Sequence, residues 1–102
     1  MGLDVYLEDE FAEELDSYLD EGGGLAAAMP AGDESYPMLR YVDVEGTTSF
    51  NRLQLAAVIP ELERLAAAGA IGEGAKQALT RVIRFARKAA AEPHLYLRFL
   101  GD

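Results

Sequence analysis

Residues 94–100 read His94-Leu95-Tyr96-Leu97-Arg98-Phe99-Leu100, and this stretch decides the fold. Leu95, Leu97 and Phe99 fall on one side of an extended chain, His94, Tyr96 and Arg98 on the other. That period of two marks a strand with one buried face. Pro93 stands just before it and stops the preceding helix. The same period recurs at residues 2–7, Gly2-Leu3-Asp4-Val5-Tyr6-Leu7, where Leu3, Val5 and Leu7 alternate with Asp4 and Tyr6. Strands with one apolar face need a cover, and the segments between them supply amphipathic helices.

Working inward, Asp9 can cap a helix over about 10–21, with Phe11, Leu15, Tyr18 and Leu19 at i, i+4, i+7 and i+8 as its apolar stripe. Gly22-Gly23-Gly24 ends it. Residues 22–37 read as a flexible Gly-rich loop, with one helical turn available in Leu25-Ala26-Ala27-Ala28-Met29. Met38 to Val44 alternates and predicts a second strand. Glu45-Gly46 turns the chain, and Thr47-Thr48-Ser49-Phe50 returns as a third. Asn51 and Gln54 match a capping box ahead of a helix through Leu62 and Leu65, in which Pro60 predicts a kink or break. After Gly69, Gly72 and Gly74 a last helix runs over about 73–91 on Leu79, Val82, Ile83 and Ala86. The reading is an α+β fold, an antiparallel sheet of about four strands with three helices on one face, in the order β-α-β-β-α-α-β. Leu15, Leu65, Ile83, Leu97 and Phe99 are expected in its core.

The chain has 102 residues, half of them hydrophobic and 26% charged, which is the composition of a single globular domain spanning 1–102. It has no cysteine, so disulfides, thiolate metal sites and cysteine nucleophiles are excluded. No apolar run approaches the ~20 residues that span a membrane. Residues 1–30 lack the basic start and apolar core of a signal peptide, so a cytoplasmic location is expected.

Charge is the strongest signal. The formal net charge is −9, and it is distributed unevenly. Residues 1–39 hold eleven acids and no base; from Arg40 onward there are seven acids and nine bases. A field of that sign repels nucleic acid, anionic lipid and acidic substrates, and attracts basic partners. Acids also merely solvate a surface, but eight of them between Glu8 and Glu21 without one base exceed that need. The basic stripe Arg81, Arg84, Arg87 and Lys88 reads as a solvated or ion-paired helix face.

No motif fixes a chemistry. Gly72-Glu73-Gly74-Ala75-Lys76 lacks the preceding strand, the spacing and the Ser or Thr of a phosphate loop. His94 has no paired nucleophile, and no calcium loop is present. No catalytic, metal or cofactor-binding residue is assigned, and no cofactor is expected. The polar set Asp43, Thr47, Thr48, Asn51, Arg52 and Gln54 lies where a hairpin meets a helix start, a place that binds anions or simply caps the helix.

Tyr36-Pro37-Met38-Leu39-Arg40-Tyr41-Val42-Asp43, Gly46-Thr47-Thr48-Ser49-Phe50-Asn51-Arg52-Leu53-Gln54 and Glu61-Leu62-Glu63-Arg64-Leu65, with Met1-Gly2-Leu3-Asp4 and 93–102, make up 36 of the 102 residues. In these stretches it resembles small uncharacterised actinobacterial (Streptomyces-like) proteins. That group is similar in size and acidity to the immunity proteins encoded beside bacterial toxins. Taken with the base-free acidic window, the resemblance implies a binding protein that neutralises a basic protein, such as a toxin domain, and with no catalytic motif found an enzyme is not expected. Its contacts would come from Glu8, Glu10, Glu13, Glu14, Asp16 and Asp20, with Tyr18 and Tyr36 as aromatic anchors beside Tyr6. The alternative is a small-ligand or enzymatic domain with its site at the hairpin–helix junction 43–54.

Overall fold

The two alternating stretches become the central strands of one sheet. The computed structural model describes residues 2–69 and 71–101. Met1 and Asp102, at the ends of the resemblance, and Ala70, in the expected interhelical turn, lie outside them. The elements are β1 (Leu3–Glu8), β2 (Glu14–Tyr18), α1 (Gly24–Ala28), a 3-10 turn (Leu39–Tyr41), β3 (Thr47–Phe50), α2 (Arg52–Ala67), α3 (Glu73–Ala91) and β4 (Tyr96–Gly101). The sheet order is β2-β1-β4-β3 with every neighbour antiparallel. The fold is α+β, a four-stranded antiparallel sheet with three helices.

Pairing of Val5 with Phe99 and Leu7 with Leu97 puts the apolar residues of both central strands on one face. There α3 packs against β1, β2 and β4, α2 against β3, and α1 against α3. Phe50 meets Phe99 edge-on at 5.9 Å. Leu3, Val5, Leu97, Phe99, Leu55, Leu62, Leu79 and Val82 are fully buried, each worth roughly 1.5–3 kcal/mol of transfer free energy. Leu65 is buried as expected, and Ile83 is half-buried.

Three segments depart from the sequence reading. The helix expected over 10–21 is instead the turn and second strand of a hairpin, β1–β2. On a helix, Glu10, Glu13 and Glu14 would stack at i, i+3 and i+4, where like charges repel. The strand spreads them, and β1 gains a partner. Leu15, expected in the core, is 49% exposed as a result. The strand expected over 38–44 is the 3-10 turn. The Glu61 carboxylate on α2 accepts the amides of Met38 (3.0 Å) and Leu39 (2.9 Å), so those donors are withheld from any ladder. Finally, α2 runs unbroken through Pro60. Proline brings no amide for the carbonyl four residues back, and its ring lies on the exposed side.

The expected helical turn within 22–37 is α1, and it carries Leu25 and Met29 into the core. Asp20, 4% exposed, holds this corner. Its Oδ2 accepts the amides of Leu3 (3.0 Å) and Ala26 (2.9 Å), and its Oδ1 accepts that of Leu25 (3.0 Å). One carboxylate thus caps α1 and ties it to β1. The amide of Asp20 in turn donates to Asp4 Oδ1 at 2.8 Å.

Candidate functional site

The acidic residues gather on the β1–β2 hairpin, and its turn is tightly built. The Asp9 amide donates to the Glu13 carbonyl (3.1 Å) and the Ala12 amide to the Asp9 carbonyl (3.0 Å). Asp9 Oδ1 accepts the amides of Phe11 and Glu13, both at 2.9 Å. Ala12 sits at φ 61, a left-handed conformation that closes such turns and that a Cβ disfavours. Beyond the turn the register shifts between Leu7 and Glu8. Leu15 is left as an extra residue opposite β1.

The hairpin divides the predicted partner-binding residues into two groups. Glu10, Glu13, Glu14 and Asp16 are exposed. Glu10 leans toward His94, with Oε1 3.6 Å from Nδ1. Glu8 and Asp20 are buried and are held inside the molecule. Glu8 Oε2 accepts from Arg98 Nε at 2.9 Å, and this bond raises the pKa of the guanidinium above its usual value. Asp20 serves α1 and β1 as described.

The tyrosines are engaged by arginines. The guanidinium of Arg98 lies 4.7 Å from the centre of the Tyr6 ring, Arg64 4.2 Å from Tyr36, Arg81 5.7 Å from Tyr18 and Arg40 4.8 Å from Tyr41. Burial first, and then the Asp20 charge, push the Tyr18 phenol up, against the pull of Arg81. Tyr18 is opposite Val5 and so faces the helices.

What the sequence reading missed is the apolar side of the hairpin. Phe11 is 81% exposed and Leu19 52%, because the stripe that served as a helix core is not one. The recoverable signal was the alternation Leu15, Ser17, Leu19. Ser17 pairs with Tyr6 on the sheet face opposite the helices, and Leu15, at the register shift, and Leu19, just past β2, are exposed on either side of it along the chain. Along the outer edge of β2, the Ser17 amide donates to Asp16 Oδ1 (2.8 Å) and its carbonyl accepts from Arg81 (3.2 Å).

The hairpin–helix junction is committed to its own turns. Asn51 and Gln54 form the capping box, each side chain accepting the other's amide at 2.9 Å. Asp43 Oδ1 accepts the Glu45 amide (2.9 Å), and Thr48 Oγ1 accepts that of Asp43 (3.0 Å). Thr47 and Arg52 are exposed there. Two clefts open elsewhere on the surface. One of about 390 Å³ lies between α1 and the start of α3 and is lined by Gly24, Ala27, Ala28, Ile71, Gly72, Gly74 and Ala75, none with a reactive side chain. The other, about 360 Å³, lies between α2 and α3 at Glu63, Thr80, Ile83, Arg84 and Arg87, with Arg87 paired to Glu63. Among the described residues no group of three or more His, Asp or Glu side chains is placed to hold a metal ion. No helix among the described residues is long and apolar enough to cross a membrane. No protein-family model, curated protein or solved structure matches the chain.

Proposed function

We propose that this is an acidic cytoplasmic binding protein that neutralises a basic protein partner, as immunity proteins do for bacterial toxins. The observation that carries the reading is the exposed set Glu10, Glu13, Glu14 and Asp16 on one stiff hairpin. Carboxylates fixed on a preformed turn steer a cationic partner into encounter and lose little conformational freedom on binding. Against a nuclease-like toxin they would occupy the ground that substrate phosphates take, and so block access to it.

The test uses the product of the adjoining reading frame, expected to be basic, in a surface-binding assay. Wild-type association should slow steeply as salt is raised. Reversing three charges in E10K/E13K/E14K should slow association by about tenfold or more while dissociation changes far less, since steering of this kind raises on-rates by about 10–10³. An unchanged association rate in the triple variant rejects the reading.

A further inference from the structure

Among the described residues six large hydrophobic side chains remain exposed: Phe11, Leu15, Leu19, Tyr41, Leu53 and Tyr96. Three of them, Phe11, Leu15 and Leu19, belong to the β1–β2 hairpin and its exit, and Tyr96 stands on β4, the other neighbour of β1. Leu15 is the extra residue at the register shift and Leu19 follows the last paired residue of β2, both exposed to solvent. Tyr96 is opposite Glu8, and Phe11 stands at the tip of the hairpin. A gathering of this kind, unlike scattered exposed leucines, marks a surface that becomes covered. The carboxylates of Glu10, Glu13 and Glu14 edge the stripe. The charge inside it is cancelled, because Glu8 is paired with Arg98.

We infer that this stripe is the centre of a protein interface with Phe11 as its anchor, and that the occupant is a basic protein presenting an apolar pocket rimmed by Lys and Arg. The inference rests on the function proposed above and specifies its partner. Charge complementarity selects the occupant. An aromatic ring flanked by Glu10 and Glu13 is repelled by anionic lipid and by nucleic acid, and a second copy would bring the same carboxylates against themselves. Shape selects the pocket, since a ring at a convex tip finds full contact only in a concavity. Interfaces of this kind take most of their affinity from one or two desolvated aromatic anchors inside a polar rim. Four of the five tyrosines already lie beneath guanidinium groups, which leaves Phe11 as the most exposed aromatic of the stripe. The turn's internal hydrogen bonds fix the backbone that presents it before the partner arrives.

The test immobilises wild-type protein, F11A and E10K/E13K/E14K side by side. The probe is the soluble protein of the source cells, applied at low and at physiological salt. Retained chains are identified by mass, and the principal one is purified for kinetics. Wild type should retain a basic protein that the triple variant loses. That protein should leave F11A about 30-fold faster or more, while F11A unfolds at the same urea concentration as wild type because the ring is outside the core. Ala12→Gly, which loosens the turn, should also speed release although it relieves backbone strain. A basic protein that leaves F11A as slowly as wild type overturns the anchor and leaves the acidic-hairpin function standing. A retained protein that is not basic, or that the triple variant holds equally, overturns the function, as does the absence of any salt-sensitive retention.

Discussion

Asp20 is the residue whose removal should cost this fold most for its size. It was grouped by sequence with the surface acids, yet its two oxygens accept three amides, from Leu3, Leu25 and Ala26. Leu3 and Leu25 are fully buried, so water cannot replace the lost acceptor without opening the corner between β1 and α1. Each buried donor left without a partner costs about 1–3 kcal/mol, and bonds to a charged acceptor lie at the upper end. Asp20→Ala should therefore destabilise by about 3–6 kcal/mol, a large share of the 5–15 kcal/mol typical of a whole domain. Asp20→Asn separates geometry from charge. Its single oxygen can keep the Leu3 and Ala26 amides, but its NH2 then faces the Leu25 amide, donor against donor. About 1–3 kcal/mol should be lost. Urea unfolding followed by far-ultraviolet circular dichroism measures both, since the chain has no tryptophan. A loss below about 1 kcal/mol for Asp20→Ala would show that α1 is held by its apolar contacts alone and that the carboxylate is dispensable.

Leu97→Ala should cost about 2–5 kcal/mol in the same assay, because Leu97 is fully buried between Leu7 and Phe50 in the sheet and its truncation leaves a cavity in the core. Loss of less than about 1 kcal/mol would remove β4 from the centre of the core. The Asp33 carboxyl should titrate below its ordinary value of 3.8, held there first by the Ser35 hydroxyl and then by the Ser35 amide. A depressed carboxyl stabilises the fold above its unfolded pKa, and that contribution disappears as pH falls through the folded value. Ser35→Ala should move the titration, followed by carbon NMR of the carboxyl, back up toward 3.8. An unmoved midpoint would rule out the hydroxyl as the cause.

The parts of the fold that sequence revealed are those governed by local pattern. Alternation at 3–7 and 95–99 showed the central strands, and Asn51 with Gln54 showed the start of α2. The turn at Leu25–Ala28 was visible in composition. The parts it misplaced depend on partners far along the chain. Phe11, Leu15, Tyr18 and Leu19 satisfy a helical period, while Leu15, Ser17 and Leu19 also fall at a strand's period of two. What decides between them is β1, which needs a neighbour, and the repulsion among Glu10, Glu13 and Glu14 on a helix. Met38 to Val44 alternates like a strand, but Glu61 claims two of its amides from 22 or more residues away. The acids of the candidate site were legible one by one. Their division into exposed and buried was not, since the contacts of Asp20 and Glu8 run to Leu3 and Arg98, 17 and 90 residues distant.

The two bonds at Ser17 bear on how this protein avoids sticking to itself. An outermost strand with free backbone groups is a growth point for filaments, and Leu15-Asp16-Ser17-Tyr18-Leu19 has the mix of leucine and tyrosine that cross-β stacking favours. At Ser17 the amide is turned back onto Asp16 and the carbonyl is covered by Arg81. A strand arriving there finds neither group available, while the flanking carboxylates repel a second copy of themselves. The exposed leucines therefore sit on an edge that offers an incoming strand less to pair with at Ser17. Removing the latch, as in Arg81→Ala, would leave that carbonyl open to the next chain.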